Sequence, residues 1–277
     1  MDYSPITELI GMPGRPLLPL LATFLLGLMR IAPIVSLAPF FGSKLPGAVK
    51  MGLAVTLTLF MLPSLAMNTK SVLGMNMLFI SYSVKELLLG VIMAILTVVP
   101  FYVAQSAGTL IDYLRGSSSL MVQDPTMRTQ VSPIGLLYNS VLIVIFFELG
   151  GPFLYFNAIV DSYSIIPLDS WLPVNFFSYS APLWLTLSSV LAKILSLALQ
   201  LAAPSILAIL MAEMFLGIAN RLAPQVQIAF LGMPLKSLLG LSLLWAGWFF
   251  IVKQMGIESI EWFNHLAQLI HSFEKLH

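Results

Sequence analysis

The chain has 277 residues, of which 58% are hydrophobic and only 9% are charged. About a quarter of the residues in soluble domains are charged, so this composition excludes an ordinary soluble fold. The net charge of +1 argues against a nucleic-acid partner, which would require a basic surface, and the absence of cysteine excludes disulfides and thiolate chemistry.

Six hydrophobic regions follow one another along the chain and predict an all-α, polytopic integral membrane protein. Charge-free runs in several of them exceed the roughly 18–20 apolar residues that a helix needs to cross a bilayer. Because the runs do not alternate in polarity as barrel strands do, helices are the expected spanning elements. The regions lie at about 17–41, 51–69, 72–111, 133–160, 177–212 and 229–252.

Two of these regions, 72–111 and 177–212, are too long for a single crossing. Each contains an internal proline, Pro100 in the first and Pro204 in the second. A proline kinks a membrane helix but is tolerated where neighbouring groups satisfy the freed carbonyl. We therefore expect both regions to be bent or to form helical hairpins.

The short connections between the regions predict one domain over residues 1–277. It would consist of an N-terminal segment over 1–16, a helical core over 17–252 and a C-terminal helix over 256–277. Apolar residues at three- and four-residue spacing make this last helix amphipathic, which suits a membrane surface or a partner. These residues are Ile260, Phe263, Leu266, Ile270 and Phe273.

Charged residues inside the apolar runs are the first functional candidates, because a charge exposed to lipid is costly. They are Arg30, Glu86, Lys193, Glu213 and Lys236. Each of them has an ordinary alternative role, which is to cap a helix end, to extend to the membrane interface or to pair inside the bundle.

Small residues lie four positions away from several of these charges. Glu213, Gly217 and Arg221 share one helical face, and Gly108 precedes Asp112 by four residues. Small residues let helices approach closely, so the pattern predicts tight packing around charges that are neutralised in place. Lys236, which follows Pro234, is the expected partner of Glu213.

The sequence contains no recognisable catalytic or metal-binding pattern. It lacks the HExxH, GxSxG and GxxxxGK[ST] motifs. Its three histidines are six residues apart, whereas two metal ligands on one helical face require a spacing of three or four. We therefore predict that the protein is not an enzyme and uses no cofactor or metal.

A series of short motifs extends from Arg30 to Trp248. It comprises Arg30-Ile31-Ala32-Pro33, Ala38-Pro39-Phe40-Phe41-Gly42, Lys85-Glu86 with Gly90, Gly108, Asp112, Arg115-Gly116, Asp124-Pro125, Gly150-Gly151, Glu213 with Gly217 and Arg221, and Gly232-Met233-Pro234-Leu235-Lys236. In order and spacing these motifs resemble the FliR/SctT family of type III secretion export-gate proteins. Two elements, Asp112-x-x-Arg115-Gly116 and Ser132-Pro133, resemble the injectisome (SctT) branch, which we favour over the flagellar (FliR) branch.

The resemblance implies a structural component of the type III protein secretion export gate in the bacterial inner membrane. Such a multi-pass protein would help to form the portal through which unfolded protein substrates enter. The implied partners are SctR, SctS and SctU subunits (FliP-, FliQ- and FlhB-like), inner-membrane lipid and secreted polypeptides, with no nucleic acid. Some helices would then form hairpins packed in an oligomeric gate rather than span lipid.

In such a gate, the embedded charges and their small neighbours become candidates for assembly or gating. They are Arg30, Glu86, Gly108, Asp112, Lys193, Glu213, Gly217, Arg221, Pro234 and Lys236. A flagellar export-gate component is the alternative within the family. A multi-pass solute transporter, with Glu86, Lys193 or Glu213 in a midplane site, is the alternative outside it.

Overall fold

A computed structural model describes residues 16–42, 45–69, 76–116, 122–123, 130–172, 182–222 and 228–272. In these ranges the α-helices are α1 (Leu17–Leu37), α2 (Gly47–Asn68), α3 (Met77–Leu114), α4 (Pro133–Glu148), α5 (Gly151–Ile165), α6 (Pro182–Leu222), α7 (Ile228–Ala246) and α8 (Trp248–Ser272). A 3-10 helix, Pro39–Phe41, follows α1. Two short strands, β1 (Val122–Gln123) and β2 (Gln130–Val131), pair antiparallel between α3 and α4.

The lengths and hydropathy of these helices confirm the prediction of an all-α polytopic membrane protein. Four of the described helices are long and apolar enough to cross a membrane, namely α1, α2, α3 and, within α6, Trp184–Leu222. Two bent pairs raise the number to six if each pair is one span. One pair consists of α4 and α5, and the other of Pro234–Ala246 and Trp248–His271.

The two longest helices run without interruption from Met77 and from Pro182 to the ends of the regions in which hairpins were expected. α3 has 38 residues and α6 has 41, and each contains its proline inside the helix. The described parts of the two regions are therefore not hairpins, since a long helix tolerates the loss of the single N–H donor that proline removes. The sharp turn lies instead between α4 and α5, where Gly150 adopts a φ of 71° that favours glycine.

The chain forms two compact units. Unit 1 comprises Met1–Val98, Gly151–Ser188 and Phe263–His277, and unit 2 comprises Val99–Gly150 and Ser189–Trp262. They subdivide the single domain predicted over 1–277, which stays a prediction.

Each unit has a core of its own. In unit 1, α1 packs along α2, and the buried side chains include Leu26, Ile34 and Leu65. In unit 2, the rings of Phe101 and Phe146 meet edge to face with centroids 5.8 Å apart.

The C-terminal helix begins earlier than predicted, at Trp248 rather than at residue 256. Residues 273–277, with Phe273, lie outside the described part. The apolar face of α8 is buried by the chain itself, since Phe263, Leu266 and Ile270 are 5% exposed or less. The expectation that this face meets a membrane surface or a partner is therefore wrong, because the intramolecular core already covers it.

Candidate functional site

The first cluster of buried charges joins α1 to α3 in unit 1. Arg30 donates from Nε to Oε2 of Glu86 at 2.5 Å and from Nη2 to Oε1 at 2.9 Å. Both side chains are at most 1% exposed. Gly90 permits this approach, because a Cβ at that position would lie 2.9 Å from the Cα of Arg30. Two residues that the sequence flagged separately thus form one bidentate pair.

The remaining donors of Arg30 bind the C-terminal end of α5. Nη1 donates to the carbonyl of Ser162 at 2.8 Å and to its hydroxyl at 3.1 Å, and Nη2 donates to the carbonyl of Ile166 at 2.9 Å. The last carbonyls of a helix lack intrahelical partners and carry partial negative charge, so a cation stabilises them. The guanidinium also lies 4.1 Å from the ring centroid of Tyr163. All five N–H donors of Arg30 are therefore used.

Lys85 is the functional residue of this cluster that was not proposed from the sequence. Its ammonium lies 2.7 Å from Oε1 of Glu86 and donates to the carbonyls of Pro167 at 2.8 Å and Ser170 at 2.9 Å. Only 4% of the residue is exposed. Lys85 therefore fixes the turn that follows α5. Two sequence signals could have identified it, namely its position next to Glu86 in an apolar run and its place in the Lys85-Glu86 motif.

A second cluster surrounds Asp112 at the end of α3 in unit 2. Its buried carboxylate accepts hydrogen bonds from Nε of Arg115 at 2.7 Å, from the Ser132 hydroxyl and from the backbone N–H of Ile134 at 2.9 Å. Ser132 is the N-cap of α4, and its hydroxyl accepts from the backbone N–H of Gly135 at 2.9 Å. A carboxylate is favourable at a helix N-terminus, where free N–H groups carry partial positive charge. Asp112 thus anchors the start of α4 to α3.

Gly108 lies at a close contact between α3 and α4. A Cβ on Gly108 would be 2.5 Å from the backbone nitrogen of Gly135 and 2.6 Å from the carbonyl carbon of Ile134. Because these atoms belong to the backbone, no side-chain movement would relieve the contact. Any larger residue at this position would push α4 away from Asp112.

Glu213 on α6 and Lys236 on α7 form an ion pair within unit 2. Their side chains are 43% and 23% exposed, so the pair is only partly buried within this chain. Nearby, Gly240 faces Ile209, whose Cδ1 would lie 3.0 Å from an added Cβ. The structure therefore brings these two predicted residues together at a close helix–helix contact.

The other predicted residues lie apart from these clusters. The ammonium of Lys193 lies 4.9 Å from the ring centroid of Trp262 in unit 2. Gly217, Arg221 and Pro234 are exposed on α6 and α7. The ten candidates thus occupy several places rather than one pocket. Among the described residues, no group of three His, Asp or Glu side chains is arranged to hold a metal ion.

Comparison with known proteins gives a family match over most of the chain. Residues 21–259 match the family model described as bacterial export proteins, family 1. The "Yop proteins translocation protein T" of Yersinia pestis is 32% identical over 227 residues, which cover 80% of this chain and 83% of that protein. The "Secretion system apparatus protein SsaT" of Salmonella typhimurium is 28% identical over 228 residues, which cover 81% and 85%.

A flagellar relative matches the chain as well. The "Flagellar biosynthetic protein FliR" of Escherichia coli is 28% identical over 244 residues, which cover 88% of this chain and 90% of that protein. The resemblance to the FliR/SctT family is confirmed, and the injectisome branch is favoured over the flagellar one. The chain belongs to the bacterial export proteins of family 1.

Proposed function

We propose that the protein is a structural, non-catalytic component of the type III protein secretion export gate. In this role it helps to form the inner-membrane portal through which unfolded protein substrates enter. The observation that carries the proposal is the family match over residues 21–259. The four to six apolar helical spans support a multi-pass location in the bacterial inner membrane.

The exposed surface of α6 supports assembly with other gate subunits. The last turns of this helix carry a stripe of apolar side chains at three- and four-residue spacing, each 59% to 81% exposed: Leu207, Met211, Met214, Phe215, Ile218 and Leu222. A helix of 41 residues is about 62 Å long, roughly twice the thickness of the hydrocarbon core. Lipid alone cannot surround an apolar helix of that length. We therefore propose that SctR-, SctS- and SctU-like subunits pack against the exposed apolar stripe of α6.

The charged residues on the same stretch of α6 are the proposed contacts with those subunits. Glu213, Gly217 and Arg221 follow one another at four-residue spacing, and Gly217 has no atom within 4 Å of an added Cβ. This open surface would let a helix of a partner approach closely. The ion pair of Glu213 with Lys236 would be enclosed at such a contact.

The two buried clusters have a different proposed role, which is to fix the shape of the protomer before assembly. Arg30 and Lys85 hold the end of α5 and the turn after it, and Asp112 holds the start of α4. Loss of either cluster would disturb the surfaces that the partners recognise. We therefore assign Arg30, Glu86, Gly108 and Asp112 to assembly.

The solute-transport alternative loses support at two of its three candidate residues, Glu86 and Glu213. The third, Lys193, lines a cleft in unit 2 and lies 4.9 Å from the ring centroid of Trp262. Glu86 is fully buried, and its carboxylate already binds Arg30 and Lys85, so the carboxylate is not available to bind a solute. Glu213 pairs with Lys236 at the surface. A transport site would require a charged group that faces an open cavity at the membrane midplane.

A secretion assay tests the proposal. Deletion of the gene in a bacterium that carries the system should abolish the release of substrates into the medium while their synthesis continues. A plasmid copy of the gene should restore secretion. Normal secretion by the deletion strain would refute the proposed function.

A further inference from the structure

A cleft within unit 2 holds one cation and one carboxylate. Its walls come from α3, α4, α6 and α8, and its lining includes the polar side chains of Lys193, Glu258 and Ser259. The Ser259 hydroxyl already donates to the carbonyl of Gly256 at 2.9 Å. Lys193 and Glu258 are therefore the charged groups of this cleft that a ligand can bind.

The two charges in the cleft are not paired with each other. Among the described residues, the Lys193 ammonium forms no ion pair and donates no hydrogen bond, and it lies 4.9 Å from the ring centroid of Trp262. Glu258 accepts one hydrogen bond, from Gln254 to its Oε1 at 2.9 Å. The cations of the two buried clusters, in contrast, each bind a carboxylate. A charge beside apolar surface is stabilised by an opposite charge, so this cleft favours a ligand that supplies both signs.

The position of Lys193 along α6 corresponds to the depth of lipid headgroups. The charge-free stretch that follows it on this helix, residues 194–212, is about 29 Å long at 1.5 Å per residue. That length is close to the thickness of the hydrocarbon core, which is about 30 Å. When this stretch crosses the bilayer, Lys193 lies at the level of the phosphates of one leaflet.

Apolar side chains form the floor of the cleft. Val103, Leu142 and Leu201 line it and are each at most 6% exposed. A ligand that fills the cleft must therefore join a charged head to a hydrocarbon chain. A membrane phospholipid has this composition.

The carboxylate of Glu258 distinguishes between phospholipid headgroups. The phosphate of any phospholipid can accept a charge-assisted hydrogen bond from Lys193. A purely anionic headgroup would leave Glu258 unpaired and would be repelled by it. An ethanolamine headgroup carries an ammonium next to the phosphate and so matches both charges. A carboxylate from another protein subunit would match Lys193 alone.

We propose that this cleft binds a phosphatidylethanolamine-type lipid, with its phosphate on Lys193, its ammonium on Glu258 and part of an acyl chain along the apolar floor. The lipid is structural, since it is held by ion pairs and apolar contacts and undergoes no reaction. The proposal requires a location in the membrane and does not depend on the proposed role in protein export.

Native mass spectrometry measures the binding directly. The protein would be purified in the assembly that it forms in its membrane, stripped of lipid, and titrated with phosphatidylethanolamine or with phosphatidylglycerol of the same acyl chains. Lys193→Gln and Glu258→Gln each remove one charge from the cleft. Lys253→Gln and Glu261→Gln are the matched controls, because both residues are exposed on α8 and do not line the cleft.

We expect the wild-type protein to bind phosphatidylethanolamine more tightly than phosphatidylglycerol. Lys193→Gln should weaken the binding of both lipids at least about tenfold, as expected for the loss of one charge-assisted bond. Glu258→Gln should weaken the binding of phosphatidylethanolamine alone, and both controls should behave as the wild type.

Three results would overturn the proposal. The first is equal binding by Lys193→Gln and its control, and the second, which needs no variant, is equal affinity of the wild-type protein for the two lipids. The third is loss of assembly in Lys193→Gln with unchanged lipid binding, which would assign Lys193 to a carboxylate of a partner subunit. Secretion by the same strains tests the proposed function separately, because normal secretion without lipid binding would leave that function intact.

Discussion

Replacement of Arg30 by leucine should destabilise unit 1 severely. The substitution removes two hydrogen bonds to Glu86, two to Ser162 and one to Ile166. Within the part of the chain that the structure describes, Lys85 is then the one cation left within 4 Å of the Glu86 carboxylate, which is 0% exposed. Breaking a buried ion pair from one side costs about 3–5 kcal/mol. Since whole proteins are stable by only about 5–15 kcal/mol, this loss is a large fraction of the total.

The assay is the thermal unfolding of the detergent-solubilised protein, together with its abundance in the membrane. A loss of this size corresponds to a fall in Tm on the order of 10 °C. Replacement of the exposed Lys253 by alanine is the control and should change Tm little, because surface substitutions stay within about 0.5 kcal/mol. Arg30→Leu protein with wild-type Tm and abundance would refute the conclusion that the cluster holds unit 1 together.

A double variant measures how much of the lost stability comes from the interaction between Arg30 and Glu86 themselves. Arg30→Leu combined with Glu86→Leu removes both charges, so no carboxylate is left buried with too few partners. Its loss of stability should be smaller than the sum of the two single losses, with a coupling of about 0.5–3 kcal/mol. Additive losses would mean that the two side chains act independently, contrary to the 2.5 Å contact between them.

Three further substitutions test the remaining contacts. Gly108→Val should prevent α3 and α4 from packing and lower the yield of folded protein. Gly217→Ala is the control and should leave the yield unchanged, because its Cβ meets no atom within 4 Å. Equal yields of the two variants would contradict the close contact between α3 and α4. Ser132→Ala should lower the free energy of unfolding by about 1 kcal/mol or more, because α4 loses its N-cap and Asp112 loses a hydrogen bond. An unchanged Tm would argue against the anchoring of α4 by Ser132 and Asp112. Glu213→Ala should lower the free energy of unfolding of the isolated protomer by at most about 1 kcal/mol, because the ion pair with Lys236 is partly exposed. The same substitution should reduce assembly into the gate. A fall in protomer Tm as large as that of Arg30→Leu would contradict the assignment of Glu213 to a subunit contact.

Local patterns predicted the helical architecture well. Charge-free apolar runs mark the membrane-spanning helices directly, because a bilayer imposes a minimum length on them. Ser132-Pro133 likewise marks the start of α4, where the serine provides the N-cap and the proline occupies the first turn. The continuity of α3 and α6 through their prolines could not be predicted in this way, because it depends on how neighbouring helices satisfy the freed carbonyls.

The pairing of distant charges was also beyond local patterns. Arg30 and Glu86 each stood out as a charge in an apolar run, but 56 residues separate them and their contact arises only from the packing of α1 on α3. The role of Lys85 depends on the carbonyls of the turn after α5, which no sequence pattern places beside α3. The amphipathic pattern of α8 was recognised, whereas the partner of its apolar face proved to be the chain itself.

The measurement that tests the central claim most directly is the composition of the complex that contains this protein. A tagged copy would be expressed in Escherichia coli with and without its SctR- and SctS-like partners, solubilised in mild detergent and analysed by affinity purification and native electrophoresis. The account predicts one large complex that contains all three proteins, and degradation or aggregation of the chain expressed alone. A stable, monodisperse monomer that ignores its partners would contradict the assignment to an export gate.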